Sequence, residues 1–219
     1  RGEGEETFAS LAQLYEETKM APSDLQLSAI DGISFRGEDG EIIETPDREP
    51  LALDRIPFYY KDIPPEQMEH RIVYYESSRG CPFSCAYCLF SVEKGLRFRS
   101  LSKVLEELDY FLEQKVPQVK FIDRTFNCKK SHAMAIWNHI LEKDRGITNF
   151  HFEIAADLLD EEELELLGQM RPGLVQLEIG VQSTNPETLK AIHRPTDLKK
   201  IGCTTARINE GKNIHQHLD

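Results

Sequence analysis

From about residue 70 onward, short apolar runs alternate with amphipathic stretches at regular intervals. Ile72-Val73-Tyr74-Tyr75, Val119-Lys120-Phe121-Ile122, Phe150-His151-Phe152-Glu153-Ile154 and Leu174-Val175-Gln176-Leu177-Glu178-Ile179 read as strands. Val104, Leu105, Leu108, Phe111 and Leu112 recur at helical spacing behind Ser100, a candidate N-cap. Met134, Ile136, Trp137, Ile140 and Leu141 mark a second helix that begins near Ser131. Asp160-Glu161-Glu162-Glu163 has the form of a capping box heading a third, and residues 186–209 read as helical. Residues 214–219 look like the opening of a fifth strand. Strand–helix units in this order predict a parallel sheet with right-handed crossovers.

The strands carry a second signal. Leu177, Ile179 and Val181 share one face while Glu178, Gly180 and Gln182 share the other, and Phe150, Phe152 and Ile154 oppose His151 and Glu153. An open sheet covered by helices on both faces should be apolar on both. One apolar and one polar face instead predict a barrel with a polar lumen and its chemistry near the strands' C-terminal ends. The chain before this region is different. Residues 5–20 read as a helix with Phe8, Leu11, Ala12 and Tyr15 on one stripe, and Ile30 to Phe35 pairs across a Glu38-Asp39-Gly40-Glu41 turn with Ile42-Ile43. Pro46, Pro50, Pro57, Pro64 and Pro65 then punctuate an extended segment.

The expectation is an α/β fold: a partial parallel (β/α) barrel of about four to five strand–helix units, preceded by a helix and a small β-hairpin linker. The boundaries read as 1–20 for a helix ending a preceding domain, 21–65 for the linker, and 66–219 for a core cut short of barrel closure. Such a piece would present an open sheet edge, so self-association and weakened catalysis in isolation are expected.

With 26 Lys and Arg against 38 Asp and Glu, the net charge is −12, which disfavours a general nucleic-acid binder. No apolar run approaches the ~20 residues of a membrane span. The five cysteines, an odd number, suit a reduced, cytoplasmic setting better than a secreted disulfide framework.

Three of the five crowd into Cys81-Pro82-Phe83-Ser84-Cys85-Ala86-Tyr87-Cys88, directly after the first strand and Gly80. Structural zinc normally takes four protein ligands in two separated pairs, and no second C-x2-C pair exists here. Three thiolates on a four-iron cluster leave one iron for a substrate or cosubstrate. Packing cysteines, a lone nucleophile and zinc with a remote His stay open at this point. Cys128 and Cys203, without matching neighbours, read as core residues.

Arg79-Gly80-Cys81-Pro82-Phe83-Ser84-Cys85-Ala86-Tyr87-Cys88, placed after a strand, resembles the cysteine motif of the radical S-adenosylmethionine (SAM) superfamily, over about residues 66–219. Gly2-Glu3-Gly4-Glu5-Glu6-Thr7-Phe8 and the Pro-rich segment resemble the junction between a cobalamin-binding domain and such a barrel. The resemblance implies that Cys81, Cys85 and Cys88 bind a [4Fe-4S] cluster. SAM would bind that cluster and be reductively cleaved to a 5′-deoxyadenosyl radical acting on an unknown small-molecule substrate. A flavodoxin- or ferredoxin-type electron donor is implied too, and cobalamin through a preceding domain.

The site pattern resembles that of the oxygen-independent coproporphyrinogen oxidases. By that likeness Tyr75, Glu153, Gln182 and Arg194 contact SAM, and Asp219 falls where a fifth-strand aspartate does so; Tyr87 matches the superfamily's aromatic near the adenine, and Glu178, on the polar face of its strand, is a candidate ribose contact. Ile122-Asp123-Arg124-Thr125-Phe126-Asn127 departs from the family's Gly-Gly-Glu-like segment and leaves Asp123 as its candidate. Each has a plain alternative: a Glu153–Arg194 ion pair, Gln182 as a helix cap, Glu178 in a salt bridge. His193, His215 and His217 read as surface residues, and Asp160 to Glu165 as a solvated helix start. At the level of function, the alternatives are a zinc-binding or scaffold module and an RNA methylthiotransferase-like enzyme.

Overall fold

A computed structural model describes residues 1–89 and 95–219. The chain divides into two compact units, Arg1–Ile56 and Pro57–Asp219. In the first, α1 (Glu5–Glu17) and α2 (Asp24–Leu27) precede a hairpin of β1 (Ser34–Arg36) and β2 (Ile42–Glu44). The helix and hairpin expected from the sequence are both there. The apolar stripe of α1 is not buried, however: Phe8 is 71% exposed, and Thr7 is the one buried side chain of the helix. Within this unit, two three-residue strands offer too little apolar area to cover it.

The second unit holds five parallel strands, β3 (Val73–Tyr75), β6 (Gln118–Phe121), β7 (Asn149–Ile154), β8 (Val175–Ile179) and β9 (His215–Leu218), hydrogen-bonded in that order. Between β3 and β6 lie β4 (Ser78–Arg79), β5 (Arg97–Phe98) and α3 (Leu101–Glu113). The helices α4 (Lys130–Lys143), α5 (Glu161–Gly168), α6 (Pro186–Ala191) and α7 (Leu198–Gly211) fill the later connections. Asp160 and Glu163 form the expected capping box on α5. Ser100 stands at the N-cap of α3 without a side-chain capping bond.

Val73 and Tyr75, Val119 and Phe121, Phe150 and Phe152, and Val175, Leu177 and Ile179 are buried on one face of the sheet. Phe121, Phe126, Phe152 and Trp137 interlock there at ring separations of 4.3–6.1 Å. Burial of each such side chain contributes about 1.5–3 kcal/mol. The opposite face is polar, as the alternation predicts. Pairing aligns Tyr74, Lys120, His151, Gln176 and His215 in one row and Glu153, Glu178 and His217 in the next. Sequence alternation therefore becomes a polar surface leading to the strands' C-terminal ends.

Residues 186–209 differ from the single helical stretch expected. The helix breaks between Ala191 and Leu198, where His193 takes a left-handed φ of 54° and Pro195 bars Arg194 from helical geometry. Cys203 is exposed on α7 rather than in the core, and Cys128 is only partly buried.

Candidate active site

The cysteine loop begins directly after β4. Ser78 pairs with Phe98 and Arg79 with Arg97, so this short ladder holds the strand that delivers Cys81. Gly80 makes the closure sterically feasible: its φ is +101°, and a Cβ there would stand 2.0 Å from the Gly95 carbonyl oxygen. Inside the loop the Cys88 amide donates to the Cys85 carbonyl at 3.1 Å. The Ala86 amide donates to the Ile192 carbonyl at 2.9 Å, tying the C-x2-C turn to the break between α6 and α7.

Cys81, Cys85 and Cys88 line a single cavity of about 450 Å³ at the C-terminal ends of the strands. Tyr87, Glu153, Glu178, Gln182, Arg194 and Asp219 line it with them, as do Arg124, Thr125 and Gly180. Most of the residues singled out from the sequence are therefore brought together. Tyr75 and Asp123 are not among them. Tyr75 is buried on the apolar face and donates its hydroxyl to Glu107 Oε2 at 2.6 Å, where Arg99 Nε also donates at 2.9 Å. Asp123 is fully buried and receives the Ser77 amide at 2.9 Å and the hydroxyls of Ser77 and Ser78 at 2.7 and 2.6 Å.

Arg194 approaches the cluster loop rather than Glu153. It donates to the Gly180 carbonyl at 2.5 Å and lies 3.5 Å from the Tyr87 hydroxyl and 3.9 Å from Cys85 Sγ. Its Nε is buried without a hydrogen-bond partner. Gln182 does not cap α6, whose N-terminal amides are received by Asn185.

Lys120 was missed in the sequence and is central here. Its Nζ lies 3.0 Å from Glu178 and 3.8 Å from Glu153, bridging two carboxylates that face each other across β7 and β8. Burial and the neighbouring Glu178 charge raise the Glu153 pKa. Burial pushes Glu178 the same way, but Lys120, with His151 and His217, outweighs it and holds that carboxylate below its usual range. His151 Nε2 stands 3.0 Å from Glu178 without the alignment of a hydrogen bond.

The donor set fits an iron–sulfur cube. Three thiols of one loop line a common cavity, none of the five cysteines forms a disulfide, and a buried guanidinium nitrogen beside them lacks a partner. Cys128 is not among the residues that line this cavity, so the loop's three thiols stand there without it. The zinc reading finds no support. Among the described residues, no three His, Cys, Asp or Glu side chains converge on one ion position, as a tetrahedral ion requires. A cube distributes its thiolates over separate irons and needs no such convergence.

A parallel sheet with one apolar and one polar face and a three-cysteine loop at its C-terminal rim define an enzyme built around a cluster and a polar cosubstrate. The chain belongs to the radical SAM superfamily, whose family model matches residues 75–207. That family uses a [4Fe-4S] cluster and SAM, and its members similar to this chain include methyltransferases and cyclases. An uncharacterized methyltransferase of Pyrococcus horikoshii is 29% identical over 203 residues, 88% of this chain and 41% of that protein. Anaerobic magnesium-protoporphyrin IX monomethyl ester cyclase of Rubrivivax gelatinosus is 23% identical over 208 residues, 91% of this chain and 37% of that protein. The chain thus spans about two-fifths of the length of these relatives. Among solved structures, the cobalamin-dependent radical enzyme OxsB superposes with a TM-score of 0.71 at 21% identity, over 99% of this chain and 32% of that one. The methyltransferase TsrM of Kitasatospora setae gives 0.71 at 16% identity, over 100% and 44%. These likenesses show the fold. Among the described residues, no helix is long and apolar enough to cross a membrane.

Proposed function

We propose that this chain is the SAM-cleaving core of an enzyme that carries out a methyl-transfer or ring-forming reaction on a small molecule. The convergence of Cys81, Cys85 and Cys88 on the cavity that also holds Glu153, Glu178 and Arg194 carries this reading. The three cysteines would hold a [4Fe-4S] cluster, and SAM would occupy the rest of the cavity, whose size is ordinary for a cofactor site. When bound, the cluster supplies one electron that splits SAM into methionine and a 5′-deoxyadenosyl radical able to take hydrogen from the substrate.

This chain's own residues bind and orient. The Arg194 guanidinium, already beside Cys85, suits the methionine carboxylate in a forked contact. Glu153 and Glu178 face the cavity as acceptors for the amino group and the ribose hydroxyls, with Lys120 keeping the pair compatible. Tyr87, 52% exposed at the rim, provides an aromatic surface for the adenine, and Gln182 an amide beside it. Cobalamin would be held by a preceding domain, and a small redox protein would supply the electron; OxsB is cobalamin-dependent, and TsrM has been solved with cobalamin and a [4Fe-4S] cluster bound.

The test is anaerobic reconstitution of the intact protein with iron and sulfide. A broad charge-transfer absorbance and reductant-dependent release of 5′-deoxyadenosine and methionine are expected, and replacing any one of the three cysteines by Ala should abolish both. A wild-type protein that gains no chromophore and leaves SAM whole would reject the proposal.

A further inference from the structure

By the family likeness the segment after β6 would contact the methionine end of SAM, yet Asp123 is wholly shielded. Its Oδ2 receives the Ser77 amide, and its Oδ1 receives the hydroxyls of Ser77 and Ser78. Ser77 Oγ also lies 3.0 Å from His132 Nε2. Serine, histidine and aspartate are the residue types of an acyl-transfer triad, but the order of contacts differs. Here the serine stands between the other two. Its single proton goes to Asp123, so His132 presents Nε2–H to the serine oxygen and has no free basic nitrogen aimed at the hydroxyl. Ser77 is fully buried, and no substrate can reach it. The cluster is not a nucleophile's apparatus.

What it holds is evident from its neighbours. Ser78 and Arg79 form β4, the strand from which Cys81 departs two residues later. The β4–β5 ladder has only two residue pairs, too few to fix a long loop unaided. Two residues beyond Asp123, Thr125 Oγ1 sits 3.5 Å from Cys81 Sγ. The side chains of Asp123 and Thr125 therefore both bear on the root of the cysteine loop.

Resting on the radical SAM reading, we propose that Asp123 is a positioning residue for the cluster-binding loop. Through Ser77 and Ser78 it fixes the strand that delivers Cys81, and it does not touch SAM. Asp123→Ala strands three donors, whereas Asp123→Asn keeps the shape but turns one acceptor toward donors as an NH2 group.

The experiment is hydrogen-exchange mass spectrometry of the cluster-free protein, paired with iron content, the EPR signal of the reduced cluster, and SAM affinity after anaerobic reconstitution. Asp123→Ala is expected to speed exchange over residues 77–89 and 95–99 by about tenfold or more, what loss of one or two net hydrogen bonds brings, with β7 and β8 unchanged. Iron content should fall with it, and Asp123→Asn should lie between. Should Asp123→Ala fail to fold, Ser78→Ala removes one hydroxyl and should move the same readouts less far. Unchanged loop exchange overturns the proposal. So does an equal rise across the whole sheet, which would mean general destabilisation. Full iron and an unaltered EPR signal with SAM affinity alone lost would restore a direct contact and overturn it too. A wild-type protein that takes up no iron sinks the functional reading instead, while the exchange contrast still decides what Asp123 holds.

Discussion

Gly80→Ala puts the loop closure under direct strain. Gly80 has φ +101°, outside the range an L-residue adopts at low cost, so the substitution alone should cost about 1–3 kcal/mol. The added methyl would also meet the Gly95 oxygen at 2.0 Å and the Gly95 carbonyl carbon at 3.0 Å. Ordinary contacts lie near 3.5 Å, so the backbone of residue 95 must retreat by roughly 1 Å or more. The opposing elements are a two-pair ladder and the Arg99 amide bond to the Ser77 carbonyl, each hydrogen bond contributing about 0.5–1.5 kcal/mol. Strain and local resistance are comparable, whereas the five-stranded sheet and its aromatic core lie far above both. The ladder should therefore open while the domain stays folded. Loss of about 2–3 kcal/mol lowers Tm by roughly 5–10 °C for a chain of this size. Iron incorporation, read by metal analysis and charge-transfer absorbance, should fall to background. Gly202→Ala is the control: it lies in α7 with nothing within 4 Å, and it should leave iron content unchanged. Full wild-type iron and an unaltered EPR signal in Gly80→Ala would refute the steric argument.

Lys120→Met leaves Glu153 and Glu178 facing without their shared cation, so the Glu153 pKa should rise further and SAM should bind about tenfold more weakly by equilibrium dialysis; unchanged affinity would remove Lys120 from the site. Glu107→Ala removes the buried carboxylate that receives both Arg99 and the Tyr75 hydroxyl and should cost about 3–5 kcal/mol in urea unfolding, with a loss below about 1 kcal/mol contradicting the buried pair. The pH profile tests the Asp123 and His132 environments. Burial raises Asp123 from 3.8 to about 6, against the hydrogen bonds of Ser77 and Ser78, so its contribution to stability is lost as pH rises from 4 to 6. Burial lowers His132 from 6.5 to about 4, so its contribution is lost as pH falls through the same interval. The two slopes oppose, and urea unfolding of the wild type should vary little there. Asp123→Asn leaves His132 alone, and stability should then climb with pH by up to about 1.4 kcal/mol per unit. A flat profile in that variant would contradict the assignment.

The parallel strands and most flanking helices were legible because their periods are long enough to register, and the cysteine loop because three thiols in eight residues admit few uses. Other features left little trace. The β4–β5 ladder has two residues on each side, below any periodic signal, and Gly95 has no mark that it approaches Gly80. Lys120 sat inside a run read for its apolar members, and only strand register places it beside Glu153 and Glu178. The break after α6 did have a signal, Pro195, that the helical reading of residues 186–209 passed over.

Alternation alone would have sorted the proposed SAM contacts on the strands. Tyr75 lies two residues from Val73, and Asp123 two from Phe121, so each shares the parity of a buried apolar side chain. Glu153, between Phe152 and Ile154, and Glu178, between Leu177 and Ile179, have the opposite parity and reach the cavity. The expected SAM contacts included all four; the pleat divides them two and two. The pair sent inward is not idle, because a buried polar side chain must be hydrogen-bonded. Tyr75 meets Glu107, midway along α3, which Arg99 also engages, and Asp123 meets Ser77 and Ser78 at the root of the cysteine loop. One face of the sheet thus presents the groups that would grip the cosubstrate. The other anchors the two segments flanking the cysteine loop, which ties the geometry of the thiols to the same strands that set the carboxylates.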